Sequence, residues 1–424
     1  MSDSERGYGR GAAVLSVGIG ITGLVTYAYF SLASHSLSDG DYGGITLLWS
    51  AVFIVVSILY RPVEQLLSRT IADRDARGQT GGEHLRVAAT IQLALGAAFA
   101  GLALALRGPI EDDLFAGSAT LYWVLIAAVL SYAASYFARG FLAGHRRFGL
   151  YGLLVFLEAT SRVMFALAVA VGIAEGQSVV ALGILAAPLF SLAVVPWALR
   201  RRLRGDEPPP PDDAQQFTLA HGSGFAVAVL LIMVAEQAFL NAGPLLVKAT
   251  EGDEGAALAG FAFNVLLVAR APLQLFQSVQ TSILPHLTRA TTTGDHAEFR
   301  RAVAVTLRAI AGFALVVALA MLAVGPWAME LFFGESDEYD RGGLVLVAVG
   351  MGLYLAAATL NQAALARGLT KQAAICWVGS AAAFVTMLLL PLLDSPILQL
   401  EVAYVAGALL LCGLLYGLYR RPER

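Results

Sequence analysis

The chain has 424 residues, 58% hydrophobic and only 14% charged, with 28 Lys and Arg against 31 Asp and Glu. Soluble domains carry about 25% charged residues, so this composition excludes a soluble catalytic domain, and no nucleic-acid partner is expected. Its two cysteines, Cys376 and Cys412, fall inside apolar segments, which excludes a disulfide framework.

A helix needs roughly 20 mostly apolar residues to cross a hydrocarbon core about 30 Å thick. Segments of that kind recur from Gly11 to Tyr419, without the alternation of a membrane barrel. They predict helices over 11–34, 42–66, 84–107, 117–143, 149–173 and 177–200, then over 218–248, 255–288, 297–325, 340–366, 371–392 and 397–419. The N-terminal MSDSERGYGR carries no A-x-A cleavage site, so the first segment reads as a retained helix. Basic residues test the count independently, because cytoplasmic loops of membrane proteins are rich in Lys and Arg. With the N-terminus inside, 22 of them fall at cytoplasmic ends and loops and 3 in outer loops, while Arg162, Arg270 and Arg308 lie within helices. Both termini are therefore expected in the cytoplasm.

The linker RRLRGDEPPPPDDAQQ, from Arg201 to Gln216, divides the segments six from six, and four consecutive prolines cannot continue a helix. The expected domains are a six-helix bundle over 1–200, a Pro-rich cytoplasmic linker over 201–217 and a second six-helix bundle over 218–424. The halves echo each other: DGDYGG follows segment one as GDEGAALAGF follows segment seven, and FLAGHRRFGLYG ends segment four as ALARGLTKQA ends segment ten. Parallel six-plus-six repeats are a transporter architecture. The expected fold is thus all-α, twelve transmembrane helices in two bundles around a central cavity.

Gly18 to Gly23 (GIGITG) matches a dinucleotide fingerprint as a string, but it sits inside an apolar span, where glycine serves close helix packing. The six histidines show no ligand spacing, so neither cofactor nor metal is expected. The intramembrane charges are more informative, since each costs about 2.5–3.5 kcal/mol at a helix centre on insertion scales. Glu158 and Arg162 lie four apart on segment five, a spacing that suits an ion pair along one helix face. On segment eight, Arg270, Gln274, Gln277 and Thr281 form a polar stripe bracketed by Pro272 and Pro285. On segment seven, Gln237, Asn241 and Lys248 form another, with Glu236 beside it. A water-filled cavity between the halves accounts for both stripes, a dry polar seam being the alternative. The acidic clusters Glu111-Asp112-Asp113 and Glu335 to Asp340 read as solvated outer-loop acid.

Four stretches carry a family resemblance: LSDGDYG (Leu37 to Gly43), ARAPLQLFQSVQTSILPHLTR (Ala269 to Arg289), LFFGESDEY (Leu331 to Tyr339) and NQAALARGLTKQA (Asn361 to Ala373). Together, in this order, they resemble the polysaccharide and O-antigen flippase branch of the multidrug/oligosaccharidyl-lipid/polysaccharide (MOP) exporter superfamily. The resemblance implies alternating access in a bacterial plasma membrane. It implies carriage of a polyprenyl (pyro)phosphate-linked sugar from the inner to the outer leaflet for cell-envelope polysaccharide synthesis, with membrane lipid and a coupling ion, H+ or Na+, as further partners. Arg270, Arg162 and Arg61 are the cationic candidates for such a cargo, fewer than that family often uses. Glu158, Glu236, Asn241, Gln274 and Gln277 complete the candidate set. Rival readings are a drug antiporter of the same superfamily, a major facilitator transporter (SRTIADRDARG, Ser68 to Gly78, falls where that family has its loop motif) and a membrane glycosyltransferase or polymerase.

Overall fold

A computed structural model describes residues 3–76, 81–145, 147–196, 223–252, 255–268, 296–334 and 339–421, and every regular element among them is helical. The linker from Arg201 to Gln216 lies outside the described residues, as do Arg270, Gln274, Gln277 and the rest of their stripe. Among the described residues ten helical stretches are long and apolar enough to cross a membrane, and Gly255–Val268 is a shorter apolar helix. The chain forms two compact units, Met1–Leu219 and Ala220–Arg424.

In the first unit the helices are α1 (Asp3–Ser36), α2 (Asp39–Leu59), α3 (Arg61–Ala76), α4 (Glu83–Ala105), α5 (Ala119–Gly144), α6 (Phe148–Ala170) and α7 (Gln177–Ser191). The GIGITG string lies inside α1. Helix α1 runs along α6, α6 along α7, and α5 packs against α2, α3 and α7. The LSDGDYG stretch is the start of α2: Ser38 is its cap, and Ser38 Oγ accepts the Asp41 N–H at 3.3 Å.

The second predicted segment stops at residue 66, yet helix continues to Ala76. Pro62 lacks the N–H that would bond back into the preceding turn. The chain breaks only at Tyr60, and the Tyr60 and Glu64 amides still reach the Val56 and Tyr60 carbonyls at 2.9 Å. Beyond that break α3 is amphipathic. Val63, Leu67 and Ile71 are buried with Phe141, Leu142 and Leu154, while Gln65 and Arg69 are exposed.

Lipid tails are as apolar as leucine, so packing of helix on helix in a membrane depends on close backbone approach at small residues. Gly140 and Gly144 on α5 supply that approach, four residues apart. A Cβ at Gly140 would fall 2.8 Å from the Glu64 carbonyl oxygen, and one at Gly144 would fall 2.7 Å from Ile71 Cβ.

In the second unit α8 (Ser223–Gln237) runs through a π-type turn (Ala238–Ala242) into α9 (Gly243–Glu251). It is followed by α10 (Gly255–Val268), α11 (His296–Phe333), α12 (Arg341–Ala366), α13 (Thr370–Leu389) and α14 (Pro396–Tyr419). Helix α12 packs on α11 and α14, and α13 on α8 and α14. The ninth predicted segment ends at residue 325, but α11 passes through Pro326 to Phe333. Pro326 cannot donate to the Leu322 carbonyl, and Arg341 Nη1 supplies a donor there at 3.4 Å. The ALARGLTKQA stretch is the end of α12, where Gly368 adopts a φ of 71° and the Leu369 N–H returns to the Ala364 carbonyl at 2.9 Å.

The glycine groove generates a stability prediction. Gly144→Leu should lower the melting temperature and folded yield of the purified protein by the cost of overpacking, about 1–3 kcal/mol. Gly149→Ala, which adds a Cβ into open space, should leave both unchanged. Equal effects of the two changes would show that α3 does not seat on α5.

Candidate polar site in the first unit

Helix α5 carries Tyr132, Ser135, Tyr136 and Arg139 at spacings of three and four, so all four share one face. Helix α6 brings Tyr151, Glu158 and Arg162, α2 brings Trp49 and Phe53, and α3 brings Glu64. Glu158 and Arg162 are both buried, with 2% and 4% of their surface exposed.

The spacing on α6 suggests that these two pair with each other. They do not. Glu158 accepts hydrogen bonds from Ser135 Oγ and Arg139 Nη2, both on α5. The ion pair is therefore between helices, Arg139 to Glu158. The reason is geometric: a charge on the neighbouring helix, with a serine hydroxyl beside it, reaches the carboxylate without bending along its own helix, and it ties α5 to α6. The Arg139 guanidinium also lies over the Tyr136 ring, 4.5 Å from its centroid.

Arg162 is left with neutral partners. Its Nη1 donates to Tyr132 Oη at 2.8 Å, and its guanidinium lies 4.9 Å from the Trp49 centroid and 5.9 Å from that of Phe53. Trp49 and Phe53 are themselves packed ring on ring at 4.2 Å. Its Nε is buried without a hydrogen-bond partner, and among the described residues no carboxylate pairs with it. A hydrogen bond to a charged group contributes about 1.5–3 kcal/mol and a cation–π contact about 0.5–2 kcal/mol. Together these offset an insertion cost of about 2.5–3.5 kcal/mol, so the cation is tolerated and its charge stays uncancelled.

Glu64 extends the cluster, accepting from Tyr151 Oη at 2.9 Å, with Arg61 and Arg139 acting on it electrostatically. Three arginines thus face two glutamates. Sequence reasoning found Arg61, Glu158 and Arg162 but missed Arg139, counting it among the cytoplasmic-end charges. The signal was present in the Tyr132, Ser135, Tyr136, Arg139 stripe.

Glu236 and Asn241 belong to the second unit. Asn241 lies in the π-type turn, buried, and donates to Gln237 Oε1 at 2.8 Å, while Glu236 is half-buried. Such turns recur at functional sites, and here the turn leads directly into Gly243-Pro244. Lys248 is buried and donates to the Gly252 carbonyl. At the surface, Arg107 pairs with Glu111 at 2.6 Å, and that hydrogen bond raises the pKa of the guanidinium.

No family model matches the chain. An uncharacterized protein of Mycobacterium tuberculosis is 27% identical over 407 residues, covering 94% of this chain and 88% of the relative, and one of Mycobacterium bovis matches equally. Among solved structures, an inward-facing multidrug resistance MATE family transporter of the MOP superfamily superposes with a TM-score of 0.70 at 15% identity, covering 96% of this chain and 98% of the other. The chain has the MATE transporter fold. A eukaryotic MATE transporter gives 0.68 at 14% identity, with 98% and 96% covered, and one from Vibrio cholerae gives 0.66 at 15%, with 99% and 98% covered.

The rearranged ion pair can be measured. Glu158→Ala alone leaves the half-buried Arg139 without its ion-pair partner, and breaking a buried pair this way costs up to about 3–5 kcal/mol. Glu158→Ala with Arg139→Ala should recover much of the lost thermal stability. Glu158→Ala with Arg162→Ala should not, and recovery in that second double variant instead would restore the pairing along α6.

Proposed function

We propose that this chain is an alternating-access exporter that flips a polyprenyl-linked sugar from the inner to the outer leaflet of a bacterial plasma membrane. In this reading two six-helix domains, over 1–200 and 218–424, are joined by the linker over 201–217, with both termini cytoplasmic. The observation that carries it is Arg162, a buried guanidinium with an unused Nε and, among the described residues, no carboxylate partner. A sugar head group crosses lipid slowly because its hydroxyls and phosphates lose water. A fixed cation meets the phosphate without any chemistry, and arginine suits it because its planar fork binds two oxygens and keeps its charge. Trp49 and Phe53 beneath the guanidinium hold its plane in place.

Carrying an anion outward also draws on the inside-negative potential, by about 2.3 kcal/mol per charge per 100 mV. Arg61 and Arg270 are the further cations of the proposal, with Gln274, Gln277, Glu236 and Asn241 as its polar contacts. The place of Arg270, Gln274 and Gln277 in it rests on the sequence. A second reading, export of small drug-like molecules, is favoured by the fold shared with a multidrug resistance transporter. The sign of the charge divides the two, since a cationic drug is repelled by an unpaired arginine.

The test is flipping in vesicles containing the purified protein and a short-chain polyprenyl-phosphate sugar with a fluorescent label. Arg162→Leu should reduce the rate by about tenfold or more, the loss of one charge-assisted contact, and Arg162→Lys should keep part of it. Folded yield should stay near normal, because an apolar replacement removes a buried charge without leaving its partner charged. Unchanged flipping in Arg162→Leu, or protein-dependent uptake of organic cations with no flipping, would overturn the proposal.

A further inference from the structure

The second unit contains a buried carboxylate that the proposed flipping does not use. Glu401 lies in the second turn of α14, at the end of that helix remote from the C-terminus, with 4% of its surface exposed. Its carboxylate is pressed against the first turn of α12. A Cβ built at Gly343 would fall 2.1 Å from each of its two oxygens, so only glycine leaves room for it. Asp340 caps the same turn, and its Oδ2 accepts the Gly343 N–H at 2.9 Å. The Gly343 N–H beside Glu401 is therefore already taken by another carboxylate.

No hydrogen bond or ion pair reaches Glu401 among the described residues, and the charge acting on it is that of Asp340. Among the described residues the neighbouring elements offer no compensating cation. Arg341 on α12 turns toward the Leu322 carbonyl of α11. Lys248 on α9 is bonded to the Gly252 carbonyl, and the charged residue of α13, Lys371, lies at its opposite end. Glu335, Asp337 and Glu338 lie outside the described residues and are acidic.

A carboxylate in this position has lost its water, has no donor among the described residues and faces a like charge. The field of one helix start, already shared with Asp340, is weaker than that loss. A metal cation is disfavoured by the same helix start, which is positive. We propose that Glu401 is a proton-binding site. Its carboxyl group carries an exchangeable proton while α12 and α14 are in contact, and releases it to water when the contact opens. The ionised form is repelled by Asp340, so the proton holds the starts of α12 and α14 together. The site is independent of the cargo assigned to the first unit.

Infrared absorption of the full-length protein in lipid vesicles, titrated from mildly acid to mildly alkaline pH, tests this. The wild type should show the carbonyl stretch of a protonated carboxylic acid at neutral pH. That band should be absent from Glu401→Gln and should fade in the wild type as pH rises. Asp340→Asn, which keeps a capping side chain, should move the fading to lower pH, because removing the neighbouring charge eases ionisation. This second variant keeps Glu401 itself and reads the site even where Glu401→Gln folds poorly. A band that is the same in Glu401→Gln, or that does not move in Asp340→Asn, would overturn the proposal. So would a band that sodium removes and choline restores, since the occupant would then be a metal ion.

Discussion

A carboxylate buried among membrane helices can be neutralised by one guanidinium at close range, and in the first unit Glu158 takes Arg139. Everything particular to this interior follows from that choice. Arg139 and Ser135 bind Glu158 across the α5–α6 contact, so the pair fixes two helices. Arg162, one turn further along α6, is then supported by a phenol and two aromatic rings. Neutral partners stabilise a cation without cancelling its charge. A paired Arg162 would brace the bundle and do nothing else, whereas an uncompensated one gives the interior a positive site.

The same economy governs how the helices meet. Hydrophobicity alone cannot bring helices together in lipid, so contacts are made where backbone approaches backbone or where polar groups find partners. Gly140 and Gly144 let α3 lie against α5. In the second unit Trp377 Nε1 donates to Asn361 Oδ1 at 3.1 Å between α13 and α12, beside the stacked rings of Phe239 and Phe384. Asn361 begins the NQAALARGLTKQA stretch, so part of that motif is helix packing and the rest is a helix end.

Most helix positions were legible from hydropathy, because length and apolar content are properties of the segment alone. Segments three to five and ten to twelve agree with the structure within three residues at each end. The errors came where a partner outside the segment decides. The ninth segment is expected to end at residue 325, but α11 runs on through Pro326, where Arg341 from the next helix serves the carbonyl that the proline orphans. Residues 67–76 are too polar for a span, yet α3 continues because one face finds the glycine groove of α5. The candidate site was half visible for the same reason. Glu158 and Arg162 announce themselves by depth, but spacing on one helix cannot reveal that Arg139, seemingly at a helix end, wins the carboxylate. Glu401 escaped notice because a single acid near a helix start looks like solvated outer-loop acid.

Trp49 offers the most direct view of the uncompensated cation, since its ring lies under the Arg162 guanidinium. Its fluorescence, isolated by replacing the other four of the five tryptophans with phenylalanine, can be followed as a short-chain polyprenyl phosphate is added to the protein in lipid vesicles. An anion drawn to Arg162 should change the Trp49 emission saturably, while the uncharged polyprenol and an organic cation of similar size should not. A saturable response to the organic cation, with none to the phosphate, would contradict the assignment of this interior to an anionic cargo.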